Sequence, residues 1–114
     1  MRELMLVLKA MADKNRVRIL KMLEAKDMCV CELAAVLGIQ QPSASKHLAI
    51  LKNAGLIQDK RNGQWIDYSL CRERFNNYAP VLQATLAKWL NEDPLIAFDR
   101  KKASTLCRQE LCKK

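Results

Sequence analysis

The residues of this chain best able to do chemistry are its five cysteines. Cys29 and Cys31 stand two positions apart in the run CVCEL, Cys107 and Cys112 lie near the C-terminus, and Cys71 stands alone. Thiolates are soft ligands that select soft ions, and a chain with one histidine and no clustered carboxylates offers little to harder ones. On a regular helix, at about 100° per residue, Cys29 and Cys31 would point about 200° apart, and Cys107 and Cys112 about 140°. Cys29 and Cys31 can share one ion only if the backbone there leaves helical geometry, and Cys107 and Cys112 need a loop or bend. Taken alone, a CxC pair reads as two buried, small apolar residues. A thiol oxidoreductase is disfavoured, because there is no CxxC near a βαβ pattern and no acid–base pair beside the thiols. An enzyme is not expected.

The elements that must position Cys29 and Cys31 follow directly. Cys31 to Leu37 (CELAAVL) is dense in helix formers, and Gly38 stands where a left-handed cap would end the helix. A turn, GIQQ, leads to Pro42, suited to a first helical position because its missing N–H would have no partner there. From Pro42 to Ala54 the apolar Ala44, Leu48 and Leu51 recur at helical spacing, and Gly55 supplies the stop. Those three fix the buried face. Ser45, Lys46, Ala49 and Asn53 fall opposite, with Ser43 at the edge. Lys46 can meet a phosphate or a guanine, Ser43 and Ser45 can hydrogen-bond either, and Ala49 can touch a thymine methyl. On this helix alone a solvated polar face explains the same residues equally well.

The next stretch separates the two readings. Leu56 to Lys60 and Gln64 to Leu70 are strand-like, with Asn62-Gly63 between them as the preferred dipeptide of a two-residue turn. Lys60 and Arg61 are placed at its tip, where a hairpin beside a reader helix meets the DNA backbone. Helix, turn, helix and basic hairpin in succession define a winged helix-turn-helix, mainly α with a small β-hairpin.

The chain resembles the ArsR/SmtB family of winged-helix, metal-responsive repressors, over roughly residues 4 to 92. ADKNRVRILKML (Ala12 to Leu23) is similar to the family's second helix, and CVCEL (Cys29 to Leu33) to the box of its arsenic and cadmium sensors. QPSASKHLAILKNAGLI (Gln41 to Ile57) is similar to its recognition helix, which adds Gln41 to the candidate DNA contacts. His47 joins them as a packing or phosphate-contact residue beside the buried face. The resemblance implies a homodimer joined through its first and last helices. It would bind a double-stranded, inverted-repeat operator and release it when a toxic metal or metalloid binds. In that context Cys29 and Cys31 read as metal ligands for As(III) or Sb(III), with Cd(II) or Pb(II) as the alternative and no organic cofactor. Binding would then distort the start of the helix before the reader. A thiol redox or persulfide sensor on the same scaffold is a further alternative.

The chain departs from the family pattern in one respect. The arsenic sensors most like it carry a third cysteine three positions after the second, where Ala34 stands here. The cadmium and lead sensors recruit cysteines from an N-terminal extension, which this chain is not expected to have. Cys107 and Cys112 are the available replacements. The family's zinc, nickel and cobalt sensors carry a His/Asp/Glu site on the last helix, and no such cluster is expected here.

Length and charge agree with this reading. The 114 residues make one domain, and a net charge of +8 favours an anionic partner, nucleic acid first. No membrane span or signal peptide is expected, so the chain reads as cytoplasmic, with thiols rather than disulfides. Residues 2 to 11 read as a helix apolar nearly all round, which needs cover on more than one side. Asp13 caps a second helix, whose Arg16, Arg18 and Lys21 read as a solvated face. A short strand at Met28 to Val30 is placed to pair with the wing. Arg72 to Asn91 reads as one long helix with an apolar stripe of Tyr78, Val81, Leu82, Leu86, Trp89 and Leu90, ended by Pro94. Residues 1–93 are thus expected to form the DNA-binding and dimerisation domain. Residues 94–114 are expected to form a basic, cysteine-containing tail.

Overall fold

The computed structural model describes residues 1–71 and 76–106. Along the chain come α1 (Arg2–Met11), α2 (Lys14–Ala25), β1 (Met28–Cys29), α3 (Val30–Leu37), α4 (Gln41–Asn53), β2 (Ile57–Asn62), β3 (Trp65–Leu70), α5 (Ala79–Ala87) and α6 (Pro94–Thr105). The architecture is a winged helix-turn-helix, mostly helical with one small antiparallel sheet of order β1-β3-β2.

Local chemistry sets the helix ends. The Asp13 carboxylate accepts the Arg16 N–H at 3.1 Å and starts α2. Gly38 ends α3 at φ +70°, and its N–H donates to the Ala34 carbonyl at 2.9 Å. An added Cβ there would meet nothing within 4 Å, so the backbone conformation alone demands glycine. Around this turn the helices share one core. Ile19 and Leu20 of α2, Leu33 and Val36 of α3, Leu48 and Leu51 of α4, and Leu56 and Ile57 entering the wing are all buried within it. The expected inner face of α4, Ala44, Leu48 and Leu51, is the one buried.

Several expectations are corrected. Residues 72–75 lie outside the described residues, and the long helix expected from Arg72 appears only as α5, Ala79–Ala87. The Asn76 carboxamide oxygen accepts the N–H groups of Tyr78 and Ala79, and Pro80 sits in the first turn, where its missing N–H costs nothing. Pro94 opens α6, whose first N–H groups are capped by Asp93. Leu90, between these helices, holds φ +63°, a strained value for leucine. Lys21 braces that turn by donating to the Leu86 carbonyl at 3.0 Å and to Asn91 at 3.1 Å.

The polar face of α2 is not solvated as expected. Lys21 is fully buried, and Arg18 pairs with the fully buried Asp99 of α6. The hydrogen bond to Asp99 holds the Arg18 guanidinium above its ordinary pKa, against the opposing effect of burial. Arg16 is half-buried and ties α2 to α1, donating to the Ala10 and Lys9 carbonyls at 2.7 and 3.1 Å.

Candidate DNA interface and thiol site

The outer side of α4 is open. Gln41, Ser43, Ser45, Lys46 and Ala49 are exposed, while Ala44 and Leu48 between them are buried. Pro42 sits in the first turn of the helix, where its missing N–H costs nothing, and the Ser43 and Ala44 N–H groups donate to the Gln40 carbonyl at 3.1 Å. His47 differs from this set. Its side chain is 19% exposed, with Nδ1 3.3 Å from an Arg16 nitrogen and 4.0 Å from the Asp13 carboxylate. It faces the α1–α2 corner rather than the open side of the helix. At Asp13, burial raises the carboxyl pKa, but the Arg16 N–H, the Arg16 guanidinium and His47 outweigh it and hold it below the usual value.

The wing differs in detail from expectation. Asn62 pairs with Trp65, so the two loop residues are Gly63 and Gln64, not Asn62 and Gly63. Gly63 takes φ +63°, and Gln64 is not among the residues of positive φ, the pattern of a type II′ turn with glycine first. Lys60 and Arg61 therefore lie within β2, just before the tip, and both are exposed. An exposed pair between Lys52 and Asp59, 3.0 Å long, links the end of α4 to the base of the wing.

Cys29 is the last residue of β1 and the N-cap of α3. Its φ of −90° and ψ of 168° are extended, so the opposed directions expected of a regular helix do not apply to the pair. The Glu32 carboxylate accepts the Cys29 N–H at 3.0 Å, while the Cys29 side chain faces the Glu32 N–H, forming a capping box. The Cys29 sulfur lies in a residue only 2% exposed and sits at a helix N-terminus, where negative charge is favoured. Cys31, in the first turn, is half-buried and disulfide-bonded. Cys71 is buried. Cys107 and Cys112 lie outside the described residues. Among the described residues no three His, Cys, Asp or Glu side chains gather as a metal-holding group. Cys29 and Cys31, the two sulfurs expected to hold a soft ion, thus stand at the start of α3 without a third such group beside them among the described residues.

The sequence reading passed over Glu32 and Lys26. The spacing Cys29-x-x-Glu32 is that of a capping box, with sulfur replacing the usual hydroxyl. Lys26 lies 4.0 Å from Glu32 and donates to the Ala103 carbonyl of α6 at 3.0 Å. Nothing in the local sequence signals that second contact, because it depends on where α6 docks.

An exposed polar helix set against a basic hairpin is the build of a winged-helix DNA-binding protein. Residues 13–59 match the family model "Bacterial regulatory protein, arsR family". The chain is 36% identical over 102 residues to the Arsenic resistance transcriptional regulator ArsR1 of Pseudomonas putida, covering 83% of this chain and 80% of that relative. It is 36% identical over 85 residues to the Arsenical resistance operon repressor of Escherichia coli K12, covering 74% and 66%. A solved homodimeric winged helix-turn-helix DNA-binding domain from Mycobacterium bovis, a possible ArsR-family regulator, superposes with a TM-score of 0.66. That match has 26% identity and covers 80% of this chain and 81% of that one. The chain belongs to the ArsR family. It is a DNA-binding transcriptional regulator, not an enzyme. Among the described residues no helix is long and apolar enough to cross a membrane.

Proposed function

We propose that this regulator represses transcription as a homodimer on an inverted-repeat operator and leaves it when As(III) or Sb(III) binds Cys29 and Cys31. The observation that carries this reading is the position of Cys29 as N-cap of α3, the helix packed against α4, with Cys31 in the following turn. Ligation would take the Cys29 sulfur from the Glu32 N–H, open the capping box and shift α3 against α4. Cys107 and Cys112 of the tail beyond α6 supply the additional thiols. Gln41, Ser43, Ser45, Lys46 and Ala49 read the operator, while Lys60 and Arg61 of β2 meet its backbone and His47 supports the reader helix from its flank. The arsenic-resistance relatives agree with this inducer class. The protein acts in the cytoplasm, where reductants keep the thiols available.

Two other readings keep the same scaffold. Cd(II) and Pb(II) are also soft ions that two or three thiolates would hold. The disulfide at Cys31 favours a thiol redox or persulfide sensor. Titrating fully reduced protein on its operator with As(III), Cd(II), Pb(II) and Zn(II), and in parallel with an oxidant and a persulfide donor, tests all three. Release by arsenite under reduction supports the proposal. Release by Cd(II) or Pb(II) alone reassigns the inducer. Release by oxidant or persulfide alone makes it a redox sensor.

A further inference from the structure

Three helices meet at one side chain. Arg16, in the first turn of α2, donates from Nε to the Ala10 carbonyl at 2.7 Å and from Nη2 to the Lys9 carbonyl at 3.1 Å, closing the C-terminal end of α1. Its Nη1 lies 3.3 Å from Nδ1 of His47 on α4. A guanidinium can only donate, so Nδ1 must accept, and the ring proton sits on Nε2. Among the described residues the one competing partner is the Asp13 carboxylate. At 4.0 Å from Nδ1 it is beyond hydrogen-bond range, and it already accepts the Arg16 backbone N–H at 3.1 Å.

The core shared by α1 and α4 is apolar. Val7 and Ala10 of α1 and Leu48 of α4 are buried in it, and such burial attracts without fixing an angle. A charge-assisted hydrogen bond is directional. The two α1 carbonyls hold the Arg16 guanidinium in place, so it cannot follow His47 if α4 rolls. His47 stands between the exposed Lys46 and the buried Leu48, and a roll of the helix moves all three together. At the same time α1 carries the exposed Met5, Leu6 and Leu8, apolar surface suited to a second copy of the chain.

We propose that Arg16 is the positioning residue of the reader helix: through Nδ1 of His47 it fixes α4 against α1, and so sets the half-site spacing that the dimer accepts. This rests on the reading of α4 as the operator reader and of α1 as part of the dimer interface. Spacing is a sharp criterion, because one base pair moves a half-site by about 3.4 Å and turns it by about a tenth of a helical turn.

The test uses full-length reduced protein and, as probe, the inverted-repeat duplex that the wild type selects from a random pool. Affinity is measured for that duplex, for versions with one base pair added or removed between the half-sites, and for an unrelated duplex of equal length. His47→Ala and Arg16→Met should each weaken the selected duplex about tenfold, the scale of one charge-assisted hydrogen bond. Both should also discriminate less than wild type against the altered spacings. The double variant should be no worse than either single one, since both remove the same contact. Binding of His47→Ala to the unrelated duplex, which depends on phosphate contacts, should be unchanged. His47→Asn, whose Oδ1 can stand where Nδ1 stands, should restore the discrimination. His47→Ala keeps the Arg16 bonds to α1, so it reports even if Arg16→Met fails to fold. His47 is the only histidine of the chain, so nitrogen NMR reads its tautomer directly, and the proton is expected on Nε2. Wild-type spacing discrimination in His47→Ala, equal losses on selected and unrelated duplexes, or a proton on Nδ1 overturns the positioning role. Lys46→Ala separates this from the underlying reading: if it binds the selected duplex like wild type, α4 is not the reader and both fall.

Discussion

Cys29 and Asp67 are register partners where β1 joins β3, and Asp67 in turn faces Lys60 across β3 and β2. The proposed ligand is therefore two strands from the cations of the wing and one helix from the reader. A displacement of Cys29 on ligation would reach the DNA-facing elements by both routes.

The wing makes the first prediction. Lys60→Ala and Arg61→Ala should each lower the slope of log affinity against log salt by about one unit, the signature of one lost phosphate contact. Lys46→Ala should weaken binding itself, because Lys46 lies on the open side of α4. Salt titrations by fluorescence anisotropy check this. An unchanged slope in both wing variants would take the wing off the DNA.

The exposed apolar residues predict a dimer. Met5 and Leu8 of α1 are 41% and 43% exposed, Val81 of α5 is 64%, and Trp89 just beyond α5 is 60%. That much apolar surface on the outer helices suits an interface. Sedimentation at micromolar concentration should show a dimer, with Leu8→Glu and Val81→Glu shifted to monomer. A wild-type monomer that binds single half-sites would contradict the proposed assembly.

Asp13 gives a pH prediction. Its carboxyl pKa is depressed in the folded state, so its stabilisation is present above the unfolded value of about 3.9 and is lost as pH falls through the folded value. Asp13→Ala should cost about 0.5–2 kcal/mol near neutral pH, the usual loss of an N-cap, while Asp13→Asn should retain most of the cap. The Asn variant should also lose less stability than wild type on acidification below about pH 4. Urea denaturation at pH 7 and pH 3 measures both effects, and equal acid sensitivity of Asn and wild type would refute the assignment.

What the sequence made legible was local. The alternation of Ala44, Leu48 and Leu51 identifies the inner side of α4, and the strand at Met28 pairs with the wing as expected. What it hid depends on contacts between distant segments. Arg18, Lys21 and Glu24 look the same whether solvent or another helix covers them, and only the docking of α6 decides. Pro94 is equally suited to stop one helix or begin another. Asp93 before it was the available signal for a start. The turn at Gly63 shifted by one residue because Asn62 pairs with Trp65, and a two-residue loop needs positive φ at its first position only in the II′ form.

Arsenite-induced operator release by Cys29→Ser tests the central claim most directly, in fully reduced protein beside wild type. An inducer acts only through its preference for the weak-binding state, commonly about 1–3 kcal/mol of coupling, or about 5–150-fold in operator affinity. Serine at position 29 should remove that preference without touching the open side of α4. The variant should bind operator like wild type and stay bound as arsenite is added. A Cys29→Ser protein that binds normally and still releases at wild-type arsenite concentrations would contradict the account.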